Sequence, residues 1–328
     1  MSRILFINLI IVSLLFVVLE LSLKFILNVK PLGISDGIIN SNNPHIRFNF
    51  KRVKEGKIFG VSVYTDDDGF RVVENYSPKR NELKKVFFVG GSVTFGSGVK
   101  QEFTFSGLLN SKYKSLNIYN ASVMGSDLGN NYSIIKEIIK KDNIDKIFIN
   151  FSFDDIQKVK IENFDKNSKF KKENFFSLNE LKEINLFKNI NTYLRSRSVI
   201  YVYIKGFIFN TREYYYQNAL DSYSYQKNID IIDEVFEKIK KISNNNAEVI
   251  FIKIPYYYQV LEKNCKTSDA GEMKIIEKFK EYDFKFIDFK PVFCSQENKD
   301  KIYLNFDASH LSSFGHRIVA ENLYRFLD

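Results

Sequence analysis

The sequence predicts an α/β protein, a three-layer α/β/α sandwich with a central parallel sheet of about five strands, preceded by one N-terminal transmembrane helix. Three observations carry this expectation. From residue 84 onward, short apolar runs alternate with segments of helical period, the pattern of a parallel sheet covered on both faces. The chain has 328 residues, of which 45% are hydrophobic and 27% charged, enough for an ample core without a disulfide lattice. It also opens on an uncharged apolar run, residues 4–19.

That opening run comes first in the chain. Its apolar character resumes past Glu20 as far as Leu27, broken only by Lys24. Sixteen to twenty helical residues at ~1.5 Å each span roughly 24 to 30 Å, about one bilayer core. Glu20 and Lys24 stand four apart and can pair at the membrane boundary, while Arg3 and the amino terminus mark the cytoplasmic end. A processing site would need small residues, yet the first alanine is Ala121, which favours an uncleaved anchor over a signal peptide. The alternative is a buried N-terminal helix of the globular domain. Pro31, Gly33, Gly37 and Pro44 follow in a polar stretch. The expected organisation is an anchor at 1–28, linker and lead-in at 29–63, and one α/β domain at 64–328. That domain would lie on the periplasmic or extracellular side of a cell membrane crossed once.

Within the domain the candidate strands are residues 86–89, 116–120, 146–151, 249–254 and 284–289. Between and after them, residues 128–141, 229–242 and 313–327 have helical period, and the second places Ile232, Val235, Phe236, Ile239 and Ile242 on one face. Residues 157–227 interrupt the rhythm with a Lys-rich stretch, then Leu181, Ile184, Phe187 and Ile190 at helical spacing, which reads as a helical insertion. The tyrosine triplets 214–216 and 256–258 could stack on sugar rings, although packing at element ends is their more ordinary use.

The charge balance of +9 is spread among acids along the whole chain, so a nucleic-acid partner is not expected. Three histidines (His45, His310, His316) and two cysteines (Cys265, Cys294) exclude a Cys-rich zinc site, and neither metal nor cofactor is expected. The cysteines are joined in a disulfide if the domain is exported, and are otherwise buried thiols. Asp66, Asp67 and Asp68 could hold calcium, but three acids before Gly69 more often form a solvated turn.

In an open parallel sheet, reactive groups gather at the carboxyl ends of the strands. The first strand there runs through VFFVGGSVTFGSG, and its glycines permit a sharp turn that lifts the Ser92 hydroxyl and aims backbone amides at an incoming oxygen. The segment lacks the Gly-Lys-Ser/Thr ending of a phosphate loop and the spacing of a dinucleotide site. A serine nucleophile needs an imidazole and an orienting carboxylate, and FDASHLSSFGH near the carboxyl terminus offers Asp307 and His310 three apart. His316, six residues further on, reads as a surface or helix-face residue.

These blocks resemble the SGNH hydrolases, also called GDSL esterases, over roughly residues 64–160 and 228–328. Gly90-Gly91-Ser92 is similar to the Gly-Asp-Ser block, and the resemblance implies Ser92 as nucleophile. Asn120-Ala-Ser-Val-Met-Gly125 is similar to the second block, which implies the Gly125 amide in the oxyanion hole beside that of Ser92. Ser152-Phe153-Asp154-Asp155 is similar to the Gly-x-Asn-Asp block, and Asp307-Ala-Ser-His310 to the Asp-x-x-His block that completes the triad. The lead-in YTDDDGFR resembles that of membrane-anchored members acting on envelope polysaccharide. The implied fold is flavodoxin-like. The implied activity is removal of O-acyl groups, acetyl first among them, from a cell-envelope glycan or other small ester. O-acetyl transfer to such a glycan, or carbohydrate binding by a catalytically impaired site, are the alternatives.

Two departures stand out. Gly91 replaces an Asp that is not a triad member. Asp154 stands where the family has an oxyanion-donating Asn, and an ionised carboxylate cannot donate. Losing one such donor typically costs about 3 to 4 kcal/mol, or roughly 10² to 10³ in rate. Asp154 would have to be protonated, or another group donate, or the enzyme be slow or inactive. Asp155 either bonds within its own loop or caps a helix. The oligomeric state is not legible.

Overall fold

The structure is a computed structural model that describes residues 2–27, 29–32, 56–77, 82–141, 143–156, 190–208, 211–262, 265 and 268–327. His45, Gly33, Gly37, Pro44 and the spacing of Leu181, Ile184 and Phe187 lie outside the described residues.

The strands are β1 (Gly56–Ile58), β2 (Val61–Thr65), β3 (Arg71–Val72), β4 (Lys84–Val89), β5 (Leu116–Asn120), β6 (Lys146–Phe151), β7 (Glu248–Lys253) and β8 (Lys285–Asp288). They form one sheet in the order β1-β2-β3-β5-β4-β6-β7-β8. The last five in that order are mutually parallel, and β1 to β3 continue the β5 edge antiparallel. Because β4 comes first in the chain among the parallel strands yet lies between β5 and β6, the strand order reverses at β4. A crevice therefore opens at its carboxyl end.

The helices are α1 (Ser2–Phe25), α2 (Ser92–Phe95), α3 (Phe105–Lys112), α4 (Leu128–Lys141), α5 (190–197), α6 (Val199–Ile208), α7 (Thr211–Asp221), α8 (Gln226–Asn246), α9 (Ala270–Glu281), α10 (Lys290–Cys294) and α11 (Ser313–Leu323). The parallel strands are apolar along their length because both faces are covered. Phe87, Val89, Ile147, Ile149 and Phe251 pack with α4, α8 and α9. Their neighbours Val86, Phe88, Phe148, Ile250 and Ile252 turn to the opposite face, against α3, α10 and α11. The two side chains of each dipeptide thus anchor two different helix layers.

The parallel strands and α4 fall within a residue or two of the expected spans, whereas the three antiparallel strands were not expected. At three, five and two residues they are too short to show a period, and they begin inside the stretch expected as lead-in. Helices α5 to α7 occupy the described end of the insertion. Cys265 and Cys294 are joined by a disulfide. The tyrosine triplets divide: Tyr216 and Tyr256 are core residues, while Tyr214 and Tyr215 are exposed. Among the described residues, α1 is the one helix long and apolar enough to cross a membrane.

His316 corrects its sequence reading. It lies on α11 but is fully buried between that helix and α3, where its Nδ1 accepts the Phe105 N–H at 3.3 Å and its ring packs on Phe105. The helix face that carries it is the inward one, a fact hidden by the polarity of the imidazole. Burial first, then the positive charges of Arg71 and His310, pull this imidazole from 6.5 down to about 3. A group with a depressed folded-state pKa contributes stability that is present above its unfolded value and lost as the pH falls toward the folded one. Between those limits unfolding takes up a proton, at about 1.4 kcal/mol per pH unit. His316→Gln is expected to be less stable than wild type at pH 7, and the gap should narrow by about 2 kcal/mol at pH 5 in urea unfolding of the detergent-solubilised protein. An unchanged gap would mean that His316 is not held neutral.

Candidate active site

The carboxyl end of β4 leads directly into the turn 90–92. A Cβ on Gly90 would stand 2.5 Å from Thr94 Oγ1 and 3.1 Å from Asn150 Cβ, so the chain can double back onto its own next turn because no side chain is there. Gly91 is the extended N-cap of α2, whose single turn is closed by Phe95 N–H to Gly91 O and Gly96 N–H to Ser92 O, both 3.0 Å. Ser92 is the first residue of that turn and is half-buried. The turn is pinned from below by Arg71, on β3. Its fully buried guanidinium donates to the carbonyls of Phe95, Gly96 and Val99 and stacks on the Phe95 ring.

The partner groups arrive from the other end of the chain. A bridge between Tyr303 and Leu311 closes a loop, with Leu304 N–H bonded to His310 O at 2.9 Å. Inside the loop Phe306 adopts a left-handed backbone (φ 59°) and seats its ring on Tyr203 and Gly206 of α6. Holding a bulky residue in that conformation needs tertiary contacts to pin it, and these two supply them immediately before Asp307.

Ser92 Oγ lies 2.7 Å from His310 Nε2. On the other side of the ring, His310 Nδ1 faces Asp307 Oδ1 at 2.8 Å and Oδ2 at 2.9 Å. Asp307 Oδ1 also accepts the backbone N–H groups of Ser309 at 2.9 Å and His310 at 2.7 Å. Burial alone would push this carboxyl up. The His310 charge, its ring hydrogen bond and the two backbone N–H groups outweigh burial and hold it below the ordinary carboxylate range. An ionised Asp307 accepts a hydrogen bond from Nδ1–H, which assigns Nε2 as the acceptor facing the serine hydroxyl. Phe59 packs edge-on against the imidazole at 5.0 Å between centroids and limits its rotation.

The oxyanion residues of the sequence reading sit at the ends of the neighbouring strands. The segment after β5 is tied to the turn at 90–92 by Val123 N–H to Gly90 O at 3.0 Å, and carries Gly125 with φ 69°. Asp154 lies just past β6, which is paired in parallel with β4. Its Oδ1 accepts the Tyr256 hydroxyl at 2.8 Å. Burial first, then the charge and hydrogen bond of Asp154, raise the Tyr256 hydroxyl well above its usual range, so that proton stays on tyrosine. Asp155 is the loop residue, its Oδ2 accepting Ser152 N–H at 3.0 Å. In the lead-in, Asp66 Oδ1 accepts the N–H groups of Asp68 and Phe70, which makes the triple acid a turn.

Arg71, Tyr256 and Phe59 are the residues that sequence reasoning missed. Arg71 ends the YTDDDGFR segment, and an arginine opening a strand just after a turn is a signal available in principle. Tyr256 stood in the triplet 256–258, which marks it as a candidate but not for its contact with Asp154, and Phe59 carries no signal. Arg71→Lys keeps the charge but cannot reach three carbonyls with one planar fork. Its expected effect is a loss on the order of 10²-fold in the rate at which an organophosphorus probe labels Ser92, with the circular dichroism spectrum unchanged. Equal labelling rates would remove Arg71 from any role in positioning the serine.

No family model and no curated protein matches the chain. Solved structures do. A lipolytic protein of the G-D-S-L family from Veillonella parvula shares 12% identity over 74% of this chain and 97% of its own, with a TM-score of 0.39. A lipase/acylhydrolase from Enterococcus faecalis shares 12% over 75% and 95%, TM-score 0.41. An acetylxylan esterase from Geobacillus stearothermophilus shares 12% over 76% and 95%, TM-score 0.39. The chain is thus similar, over about three quarters of its length, to solved lipolytic and esterase structures, one of them a protein of the G-D-S-L family.

Proposed function

We propose that the chain is a serine esterase of the SGNH type, anchored by α1, that removes O-acyl groups, acetyl first among them, from a cell-envelope glycan. The observation that carries the reading is the unbroken relay from Ser92 Oγ through His310 to Asp307. In it, His310 Nε2 takes the hydroxyl proton as Ser92 Oγ attacks the ester carbonyl, and Asp307 stabilises the imidazolium that forms. The developing oxyanion would be met by the backbone N–H groups of Ser92 and Gly125. Collapse returns the proton to the departing sugar oxygen and leaves an acyl-serine, which water attacks with His310 again as base. A sugar hydroxyl in place of that water would make the same site an O-acetyltransferase. The chemistry uses no cofactor.

A second reading is favoured by one specific contact. Because Tyr256 donates to Asp154 Oδ1, that oxygen acts as an acceptor where the family pattern calls for a donor. A site lacking its third oxyanion donor could serve as a carbohydrate binder, and mutant kinetics separate the two readings.

With a small aryl acetate as substrate, Ser92→Ala and His310→Ala are expected to fall to background, and Asp307→Asn to lose on the order of 10⁴ in kcat. Asp154→Asn keeps an acceptor for Tyr256 and adds an N–H donor, so it should gain up to about 10² to 10³ in kcat. Identical background rates for wild type, Ser92→Ala and His310→Ala would establish the binder instead. The acetyl content of envelope polysaccharide should rise on deletion of the protein if it is a hydrolase, and fall if it is a transferase.

A further inference from the structure

Helix α6 reads VIYVYIKGFI, and its inner face is accounted for. Val199, Ile200 and Val202 are buried with Leu23 of α1 and Val29 just beyond it. Its outer face is not, since Ile204 is 49%, Phe207 81% and Ile208 64% exposed. Phe25 at the end of α1 and Ile26 just past it are likewise 73% and 77% exposed.

The depth of α6 relative to α1 is set by a specific contact. Glu20 lies five residues before the end of α1, about 7 to 8 Å along its axis. It receives the Val199 N–H at 2.5 Å, the Ile200 N–H at 3.0 Å and the Ser198 hydroxyl at 3.2 Å. A carboxylate inside an apolar span is costly unless its oxygens are met by donors, and the first N–H groups of a helix are unmet within that helix. Each end thus satisfies the other, and the start of α6 is fastened below the end of α1. A helix tied there cannot stand clear of a bilayer that α1 crosses.

The same helix walls the catalytic loop. Val202, Lys205 and Gly206 of α6, with Phe306 and His310, line a cavity of about 520 Å³. We infer that α6 is a second membrane-contacting helix, lying in the surface of the bilayer that α1 spans, and that the cavity beside His310 takes its ester from an amphiphile resident in that bilayer. This rests on the membrane-anchored esterase reading and narrows its substrate to esters carried on a lipid or other membrane-bound glycan.

The chain contains no tryptophan, so Phe207→Trp in the full-length protein gives a single reporter. In phosphatidylcholine vesicles its emission is expected to shift to the blue and to be lost when brominated phosphatidylcholine replaces the lipid. Quenching by aqueous iodide with none by brominated lipid would overturn the membrane contact, whatever the enzyme does. In a second arm, Phe207→Asp combined with Ile208→Asp should slow hydrolysis of an O-acetylated alkyl glucoside held in those vesicles by about tenfold or more, with a soluble aryl acetate turned over at the wild-type rate. Equal rates on the vesicle-borne ester, or no turnover of it by a wild type that hydrolyses the soluble one, would overturn the substrate assignment. Absence of turnover of the soluble ester by wild type would instead count against the esterase reading, with the tryptophan arm still deciding whether α6 meets lipid.

Discussion

One hydrogen bond, from Ser92 Oγ to His310 Nε2, sets the demand that the rest of the architecture meets. It joins residues 218 apart in sequence at 2.7 Å. A bond of that kind is worth only about 0.5 to 1.5 kcal/mol net, far too little to organise two distant segments. Both must be delivered to it by structure that is stable for other reasons. The serine is delivered by β4, whose alternate side chains are clamped between two helix layers, and by Arg71, which reads three carbonyls behind the turn. The histidine is delivered by a loop locked at its base by the Tyr303–Leu311 bridge and followed by α11, whose Ser312 caps the N–H groups of Phe314 and Gly315. Asp307 then has two tasks, since the oxygen that faces the imidazole also accepts two backbone N–H groups of its own loop. Loop conformation and ring orientation are therefore one constraint.

Much of this was legible in the sequence where burial imposes a period. The parallel strands are apolar without interruption because they are covered twice, and the turn after the first ends in residues whose chemistry is uncommon elsewhere. Asp307 and His310 were legible because local spacing alone puts them in reach of each other. What escaped was whatever depends on a distant partner. β3 has two residues, both paired with β2, and is joined to the parallel strands through Arg71 opposite Asn120 of β5, a relation no local window contains. His316 looked like a surface residue because a polar side chain on an amphipathic helix is ordinarily outside, and only the packing of α11 on α3 turns it inward. Glu20 looked like a partner for Lys24, four residues along the same helix, yet its oxygens go to the start of α6.

Asp154 shows how the residue type at one position draws in others. An asparagine there could accept from Tyr256 with its oxygen and still donate with its nitrogen. The carboxylate keeps the first ability and loses the second. Tyr256 is itself buried among Phe153 and Tyr216, so its hydroxyl has little freedom to turn elsewhere. The pair thus fixes the direction of the hydrogen bond, from tyrosine to aspartate, and removes Asp154 Oδ1 as a source of protons for the site. The backbone groups proposed to meet an oxyanion have their direction set by the turn at Gly90 and Gly91 and by the left-handed Gly125.

The segment around α6 connects these ideas, because it touches both the amino-terminal helix and the loop that carries Asp307 and His310. Leu27 O at the end of α1 accepts the Asn305 side chain, Leu32 N–H bonds to Arg195 O, and Phe306 sits between Tyr203 and Gly206. The apolar helix is therefore joined to the domain by more than the chain that links them. Asn305 and Phe306 immediately precede Asp307, so a displacement of α1 or α6 would be felt first by the loop that orients His310. An anchor on a free tether would leave the domain indifferent to the surface beneath it. A helix fastened at the base of the loop that holds Asp307 and His310 makes the conformation of that loop depend on how the helix is seated.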